Sequence, residues 1–188
     1  MGDRKELFYP SEEHFSEETM LAEIDINSVE SYGELYKIME DNACNGKTSV
    51  VKFTHLDQNY NIAGFVRCPA TTGTDCFFRV NHIDITGDSI IYDYDKKLPV
   101  EKLSEALSDL MADPHKYKFQ STSMMPAVIW FYGDKDQSIE ETKDLLIRIT
   151  TEFDRINNSE KGKFPYYINF ESRKYQRIPP PPPFLGEN

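Results

Sequence analysis

Paired carboxylates and scattered histidines are the side chains whose types and spacing could support acid–base chemistry. The pairs are Asp93 with Asp95, Asp134 with Asp136, and Glu140 with Glu141, and the histidines are His14, His55, His82 and His115. Acid–base catalysis needs one carboxyl in an apolar or like-charged pocket that raises its pKa. Lys96 and Lys97 lie beside Asp93 and Asp95, so we interpret that pair as a solvated strand end. A small enzyme that uses His82, Asp84 and Asp134 in one cleft is the catalytic alternative.

Metal and thiol chemistry lack a matching pattern. His82 and Asp84 lie two residues apart on a predicted strand and could reach one ion, but no second segment supplies identifiable further ligands. Cys44, Cys68 and Cys76 are an odd set with separations of 24 and 8 residues, which fit neither a zinc pattern nor a disulfide framework. We expect buried or free thiols, and one disulfide with a leftover thiol is the open alternative. No metal site is predicted.

The residues Gly46, Lys47 and Thr48 match part of a phosphate-binding loop. The first glycine of that motif would fall at Asp41, whose carboxylate repels phosphate, and a predicted helix precedes the segment where the motif needs a strand. We therefore interpret Gly46 as the end of a helix. The sequence predicts neither nucleotide binding nor any other cofactor.

Charge is strongly negative and unevenly distributed along the 188 residues. The formal net charge is −11 at pH 7, and we expect no nucleic-acid partner because binding to a polyanion needs clustered lysine and arginine. Residues 1–45 are rich in Asp and Glu, whereas Arg173, Lys174 and Arg177 make the C-terminal end basic. A dipolar surface can steer a charged partner. These three basic residues are candidate binding residues.

The apolar residues are not arranged for a membrane. No window of 18 apolar residues occurs, and the first residues lack the apolar core of a secretory signal. We expect no membrane contact through this chain as given.

Two helices and four strands are predicted for the N-terminal half. An extended acidic lead over 1–15 precedes a short helix at 16–24. A second helix begins with a capping box at Ser31 and Glu34 and ends at Gly46. Segments with β-type composition, separated by turn residues, follow at 48–54, 61–68, 76–86 and 89–95. This pattern predicts antiparallel hairpins.

Helices and strands alternate in the C-terminal half. The patterns predict helices at 99–111 and 138–156, strands at 127–132 and 165–170, and a polyproline II tail at the end. Val128, Trp130 and Tyr132 share one face of the central strand, and we expect that face to pack in the core. Asp134, Lys135 and Asp136 lie before a helix, where the macrodipole and unpaired amides favour carboxylates. We interpret them as helix-initiating and, together with Arg173, Lys174 and Arg177, as candidate binding residues.

Two segments, "SIIYDYDKKLPVEKLSEAL" and "PAVIWFYGDKDQSIEETKDLL", resemble the soluble domain of the ExbD/TolR family, which supports proton-driven energy transduction across bacterial envelopes. The resemblance covers residues 76–171 and rests on a lysine-bearing turn, the helix start at Pro99, and Asp134 to Asp136 before a helix. It implies a dimerising, partner-binding domain that faces the periplasm. The sequence as given shows no counterpart of the family's N-terminal membrane helix and its aspartate, so we expect the fold and the interaction role, and not the proton-coupled role, to apply to it.

Together these patterns predict one α+β domain over 16–171, with an N-terminal helix and hairpin addition at 16–75 and a ββαβαβ core at 76–171. The sheet is expected to be mixed and mainly antiparallel, with two helices on one face. A basic, proline-rich tail follows at 172–188. We predict a non-enzymatic protein–protein interaction module, with a protein partner or a second copy of the chain as ligand. An acidic, immunity-type protein in the cytoplasm and the small enzyme above are the alternatives.

Overall fold

A computed structural model describes residues 4–18, 20–70, 82–87, 89–92, 96–112, 127–159 and 166–172. The strands are β1 (Lys5–Tyr9), β2 (Leu21–Asp25), β3 (Thr48–His55), β4 (Gln58–Phe65), β5 (His82–Thr86), β6 (Ser89–Tyr92), β7 (Lys96–Pro99), β8 (Ala127–Gly133) and β9 (Tyr166–Ser172). The α-helices are α1 (Glu12–Glu17), α2 (Tyr32–Cys44), α3 (Leu103–Ala112) and α4 (Ile139–Ser159), with short 3-10 helices at Ile26–Ser28 and Val100–Lys102. The predicted α+β class is confirmed.

The described strands form one mixed sheet in the order β2-β3-β4-β9-β8-β5-β6-β7. Antiparallel pairing joins β3 with β4 and links β5, β6 and β7, whereas β4, β9, β8 and β5 pair in parallel through the centre. The predicted hairpins β3–β4 and β5–β6 are therefore confirmed. A hairpin between β4 and β5 is not formed, because β9 and β8 lie between these two strands. Parallel neighbours need long crossover connections, which the local turn pattern cannot specify.

The three longer helices cover the same face of the sheet. The Tyr32 ring of α2 lies 5.5 Å from Phe131 of β8, and the Phe153 ring of α4 stacks on Tyr166 of β9 with centroids 3.7 Å apart. Leu103, Ala106 and Leu107 of α3 join the same buried cluster. The expectation that two C-terminal helices share one face is confirmed, and α2 joins them there.

β8 lies inside the sheet between β9 and β5, as the sequence predicted for a central strand. Its buried apolar side chains are Ile129 and Phe131, which face the helices. Val128, Trp130 and Tyr132 share one face as predicted, but it is the opposite face, where they are half-buried. The expectation that this face packs in the main core was wrong, because an all-apolar strand does not reveal which of its two alternating faces is turned to the helices.

The serine caps of both predicted capping boxes are present. The Ser31 hydroxyl accepts a hydrogen bond from the backbone N–H of Glu34, and the Ser138 hydroxyl accepts one from the N–H of Glu141, each at 3.3 Å. After α2, Gly46 has a φ of +70°, which its missing side chain permits without strain. These local signals set the bounds of α2 and the start of α4.

The helix predicted for 16–24 was wrong. α1 is earlier, at Glu12–Glu17, and Leu21–Asp25 is strand β2, which pairs in parallel with β3. Pairing with a distant strand has overridden a local helical preference. The predicted lead over 1–15 is extended at Lys5–Tyr9, and there it pairs in parallel with β4.

Cys44 and Cys68 form a disulfide that joins the C-terminal end of α2 to the segment after β4. The expectation of free thiols was wrong for these two residues, and the alternative of one disulfide applies. Two cysteines of a disulfide need only spatial proximity, which a separation of 24 residues does not exclude. Cys76 lies outside the described residues.

Candidate functional site

The carboxyl ends of the central parallel strands meet at one edge of the sheet. Gly87 follows β5, Asp134 follows β8, and Ser172 ends β9. In open sheets of parallel strands, ligands bind in the crevice outside these ends. A cleft of about 740 Å³ lies here, between the 3-10 helix that precedes α3 and the first half of α4. We call it the carboxyl-edge cleft.

Charged side chains dominate the lining of the carboxyl-edge cleft. The acidic residues are Glu101, Asp134, Asp136, Glu141 and Asp144, and the basic residues are Lys135 and Arg148. The Arg148 guanidinium lies 3.9 Å from the Glu101 carboxylate and bridges the two helical walls. Val100 and Leu145 add an apolar part to the lining. The excess of carboxylates favours a ligand that carries positive charge.

The turn between β8 and α4 is held by the N-terminus of α2. The Gly33 N–H donates to the Lys135 carbonyl at 3.0 Å, and the Tyr32 N–H donates to the Gln137 carbonyl at 2.9 Å. A β-carbon at Gly33 would lie 2.8 Å from the Lys135 carbonyl oxygen, so this approach requires glycine. Within the turn, the Gln137 N–H donates to the Asp134 carbonyl. The predicted helix-initiating turn is therefore also a fixed support for the exposed side chains of Asp134, Lys135 and Asp136.

The Tyr32 side chain also holds this turn in place, through contacts with the backbone of β8 and β9. Its hydroxyl donates to the Glu171 carbonyl at 2.7 Å and lies 3.1 Å from the Phe131 carbonyl. Burial raises the pKa of Tyr32 well above its usual range, so the phenol remains a neutral donor. Burial also raises the pKa of the Glu171 carboxyl, against an opposing effect of Arg67. The end of β9 thus holds a carboxylate in a partly desolvated place.

The structure brings together only part of the predicted binding set. Asp134, Lys135 and Asp136 line one cleft, whereas Arg173, Lys174 and Arg177 lie outside the described residues. Four cleft residues were not predicted as binding residues: Glu101, Glu141, Asp144 and Arg148. A signal for three of them was available, because positions 141, 144 and 148 share one face of the predicted helix.

The proposed acid–base set of His82, Asp84 and Asp134 is not assembled. The register pairs His82 with Val128 and Asp84 with Trp130. Asp134 comes six residues after Val128 along an extended chain, which separates its Cα from that of His82 by roughly 20 Å at about 3.3 Å per residue. Two groups at that separation cannot act on one substrate.

The described part of the chain bears on two further kinds of site, for metal ligation and for membrane insertion. It contains no group of three or more His, Cys, Asp or Glu side chains arranged to hold a metal ion. None of the helices described there combines the length and the apolar character needed to cross a membrane.

The chain was compared with known proteins at the level of sequence and of structure. No protein-family model, no curated protein and no solved structure matches it.

Proposed function

We propose that this chain is a non-enzymatic protein–protein interaction module that binds a basic segment of a partner protein in the carboxyl-edge cleft. The observation that carries the proposal is the cleft itself, with five carboxylates and two cationic groups around about 740 Å³. Its volume suits several side chains of a docked segment. Its location, at the ends of parallel strands, is the usual place for a ligand in such sheets.

Rigid support of the cleft adds to this proposal. The β8–α4 turn is hydrogen-bonded to α2, and Glu141, Asp144 and Arg148 project from one helix. Side chains on fixed elements lose less conformational entropy when they bind, which favours affinity. Complementary charge across an interface raises the association rate and selects the partner.

The proposal can be made more specific in two ways, which differ in the kind of partner protein. An ExbD/TolR-like accessory domain is supported by the resemblance of residues 76–171, and its predicted self-association is measurable by sedimentation. An immunity-type protein that neutralises a basic protein is supported by the net charge of −11. Both forms use a partner-binding surface, and the cleft test below applies to each.

The test measures binding of a fluorescent peptide that contains several lysines spaced by alanine and glycine. The site variant is Glu141→Gln with Asp144→Asn. The control variant, Glu17→Gln with Asp57→Asn, changes net charge by the same amount at exposed positions on α1 and the β3–β4 turn. We expect the site variant to bind about tenfold more weakly, since each exposed ion pair contributes up to about 1 kcal/mol. The control should change affinity less than about twofold.

Equal weakening in both variants would mean that only the overall negative charge attracts the peptide. A dissociation constant above about 1 mM for the unmodified chain at low salt would remove the cleft as a basic-segment site.

A further inference from the structure

Among the strands that the structure describes, β2 is one of the two terminal strands of the sheet and pairs with β3. The Met20 carbonyl accepts a hydrogen bond from the Thr48 N–H, and the parallel register continues from Leu21 with Thr48 to Asp25 with Lys52. Backbone groups of a strand point alternately to its two sides. Ala22 and Ile24 therefore bond towards β3, whereas the N–H and C=O groups of Leu21 and Glu23 point away from the sheet. This outer side is an edge to which another strand can pair.

The two faces of this edge differ in chemistry. Met20, Ala22 and Ile24 lie on the face of the sheet that the helices cover. Met20 is 48% exposed, Ala22 is half-buried and Ile24 is buried. Glu23 and Asp25 are exposed on the opposite side. An incoming strand would thus meet an apolar row on one face and carboxylates on the other.

A depression of about 360 Å³ lies beside these carboxylates. Glu6, Glu23 and Asp25 contribute three negative charges to its lining, and Lys52 contributes one positive charge. Lys52 lies 3.2 Å from Glu23. The Glu6 carboxylate accepts hydrogen bonds from the side-chain amides of Asn59 and Asn61, which lower its pKa and keep it ionised. The depression retains negative charge next to the strand edge.

A second copy of this chain is a poor occupant of the edge. Antiparallel pairing of β2 with its own copy around Glu23 would place two carboxylates opposite each other, and like charges that face each other across strands are destabilising. Charged residues on edge strands disfavour self-association in this way. The same carboxylates favour a strand that carries cations.

We propose that the outer edge of β2 binds an extended segment of a partner protein in which Lys or Arg alternates with apolar residues. The backbone of the segment pairs with Leu21 and Glu23, its apolar side chains lie beside Met20 and Ala22, and its cations lie beside Glu23 and Asp25. Strand addition of this kind takes affinity from main-chain hydrogen bonds and specificity from alternate side chains. This surface and the carboxyl-edge cleft have no lining residue in common.

The probe is a short peptide that alternates valine and lysine, and its control is an isomer with the same residues in separate blocks. We expect the alternating peptide to bind about tenfold more tightly than the isomer and to protect the Glu23 amide from hydrogen exchange. Glu23→Pro removes the outward N–H without removing a bond to β3, and it should lower affinity at least tenfold. Glu23→Gln removes only the charge and should lower it about threefold.

Equal binding of the two isomers, or an unprotected Glu23 amide in the peptide complex, would overturn strand addition. Leu21→Pro is the second blocking variant if Glu23→Pro does not fold, as judged by its urea midpoint. Retained affinity in a folded proline variant would also overturn the proposal. Affinities are compared in the Glu141→Gln with Asp144→Asn background, where the carboxyl-edge cleft is weakened. Protection of the Glu23 amide and preference for the alternating isomer report on β2 alone, so the two sites fail or succeed separately.

Discussion

The ring of Tyr32 occupies the space that a side chain at Gly133 would need. A β-carbon built on Gly133 would lie 2.3 to 2.5 Å from three carbons of that ring, and Tyr32 is 1% exposed. The first helical residue of α2 and the last residue of β8 are therefore fitted to each other. This contact joins the N-terminal part of the chain to the strand that leads into the carboxyl-edge cleft.

Gly133→Ala should destabilise the fold by about 2 to 4 kcal/mol, because the new methyl group overlaps a buried ring with no room to move. Urea unfolding measures the loss. In a Tyr32→Ala background the clashing ring is absent, so the additional cost of Gly133→Ala should fall by more than half. A cost that is the same in both backgrounds would show that the glycine is needed for its backbone conformation and not for the ring.

Alkaline pH should unfold the protein through its buried tyrosines. Burial raises the pKa values of Tyr9, Tyr32 and Tyr166, and the Asp154 carboxylate adds to the effect at Tyr9. The unfolded chain loses these protons near pH 10, whereas the native state retains them. Stability is unaffected by these groups below about pH 10 and falls by about 1.4 kcal/mol per pH unit for each tyrosine above it.

The measurement for this prediction is the urea midpoint as a function of pH, combined with tyrosinate absorbance. With Tyr166→Phe, the fall in stability above about pH 10 should be smaller by about 1.4 kcal/mol per pH unit, the contribution of one tyrosine. A slope identical to that of the unmodified chain would mean that Tyr166 ionises normally in the native state.

Glu171→Gln should raise stability at neutral pH. Burial is the largest cause of the raised Glu171 pKa, so native Glu171 holds its proton to a higher pH than the unfolded chain does. The contribution of Glu171 to the free energy of unfolding is fully present below the pKa that the group has in the unfolded chain. It is lost as the pH rises through the higher pKa of the native state. The glutamine variant should show a higher urea midpoint than the parent at pH 7 and a difference near zero below about pH 4. A neutral-pH midpoint lower than that of the parent would contradict this assignment.

Cys68→Ser should lower stability by about 2 to 4 kcal/mol, because a cross-link over 24 residues restricts the unfolded chain. Reduction of the unmodified chain should produce a similar loss in the urea midpoint. Cys44→Ser with Cys68→Ser should match the single variant and should not respond to reductant. If reductant lowered the urea midpoint of the double variant, the loss on reduction would be due to another thiol and not to this disulfide.

Local sequence signals predicted the helices α2 and α4 well because their starts depend on residues three positions apart. Ser31 with Glu34 and Ser138 with Glu141 form the expected caps. Leu21–Asp25 was misassigned because its strand state depends on β3, whose first residue lies 27 positions after Leu21. Long-range pairing of this kind leaves no local pattern.

The candidate site was predicted in part for the same reason. The sequence pattern identified the charged residues Asp134, Lys135 and Asp136 because they lie between an apolar strand and a helix. Glu101 comes from a distant segment and reaches the cleft only through the packing of α3 against α4. Pairing across the cleft, as between Glu101 and Arg148, is a tertiary property.

β1 and β9 pair with successive parts of the same edge of β4. Tyr9 of β1 lies opposite Ile62, and Ile168 of β9 lies opposite Gly64. During synthesis, the part of β4 at Gly64 must wait for about 100 further residues before β9 emerges from the ribosome. At about 5 to 20 residues per second, that wait lasts roughly 5 to 20 seconds. The nascent chain therefore passes through a stage in which a half-completed sheet is open to chaperones.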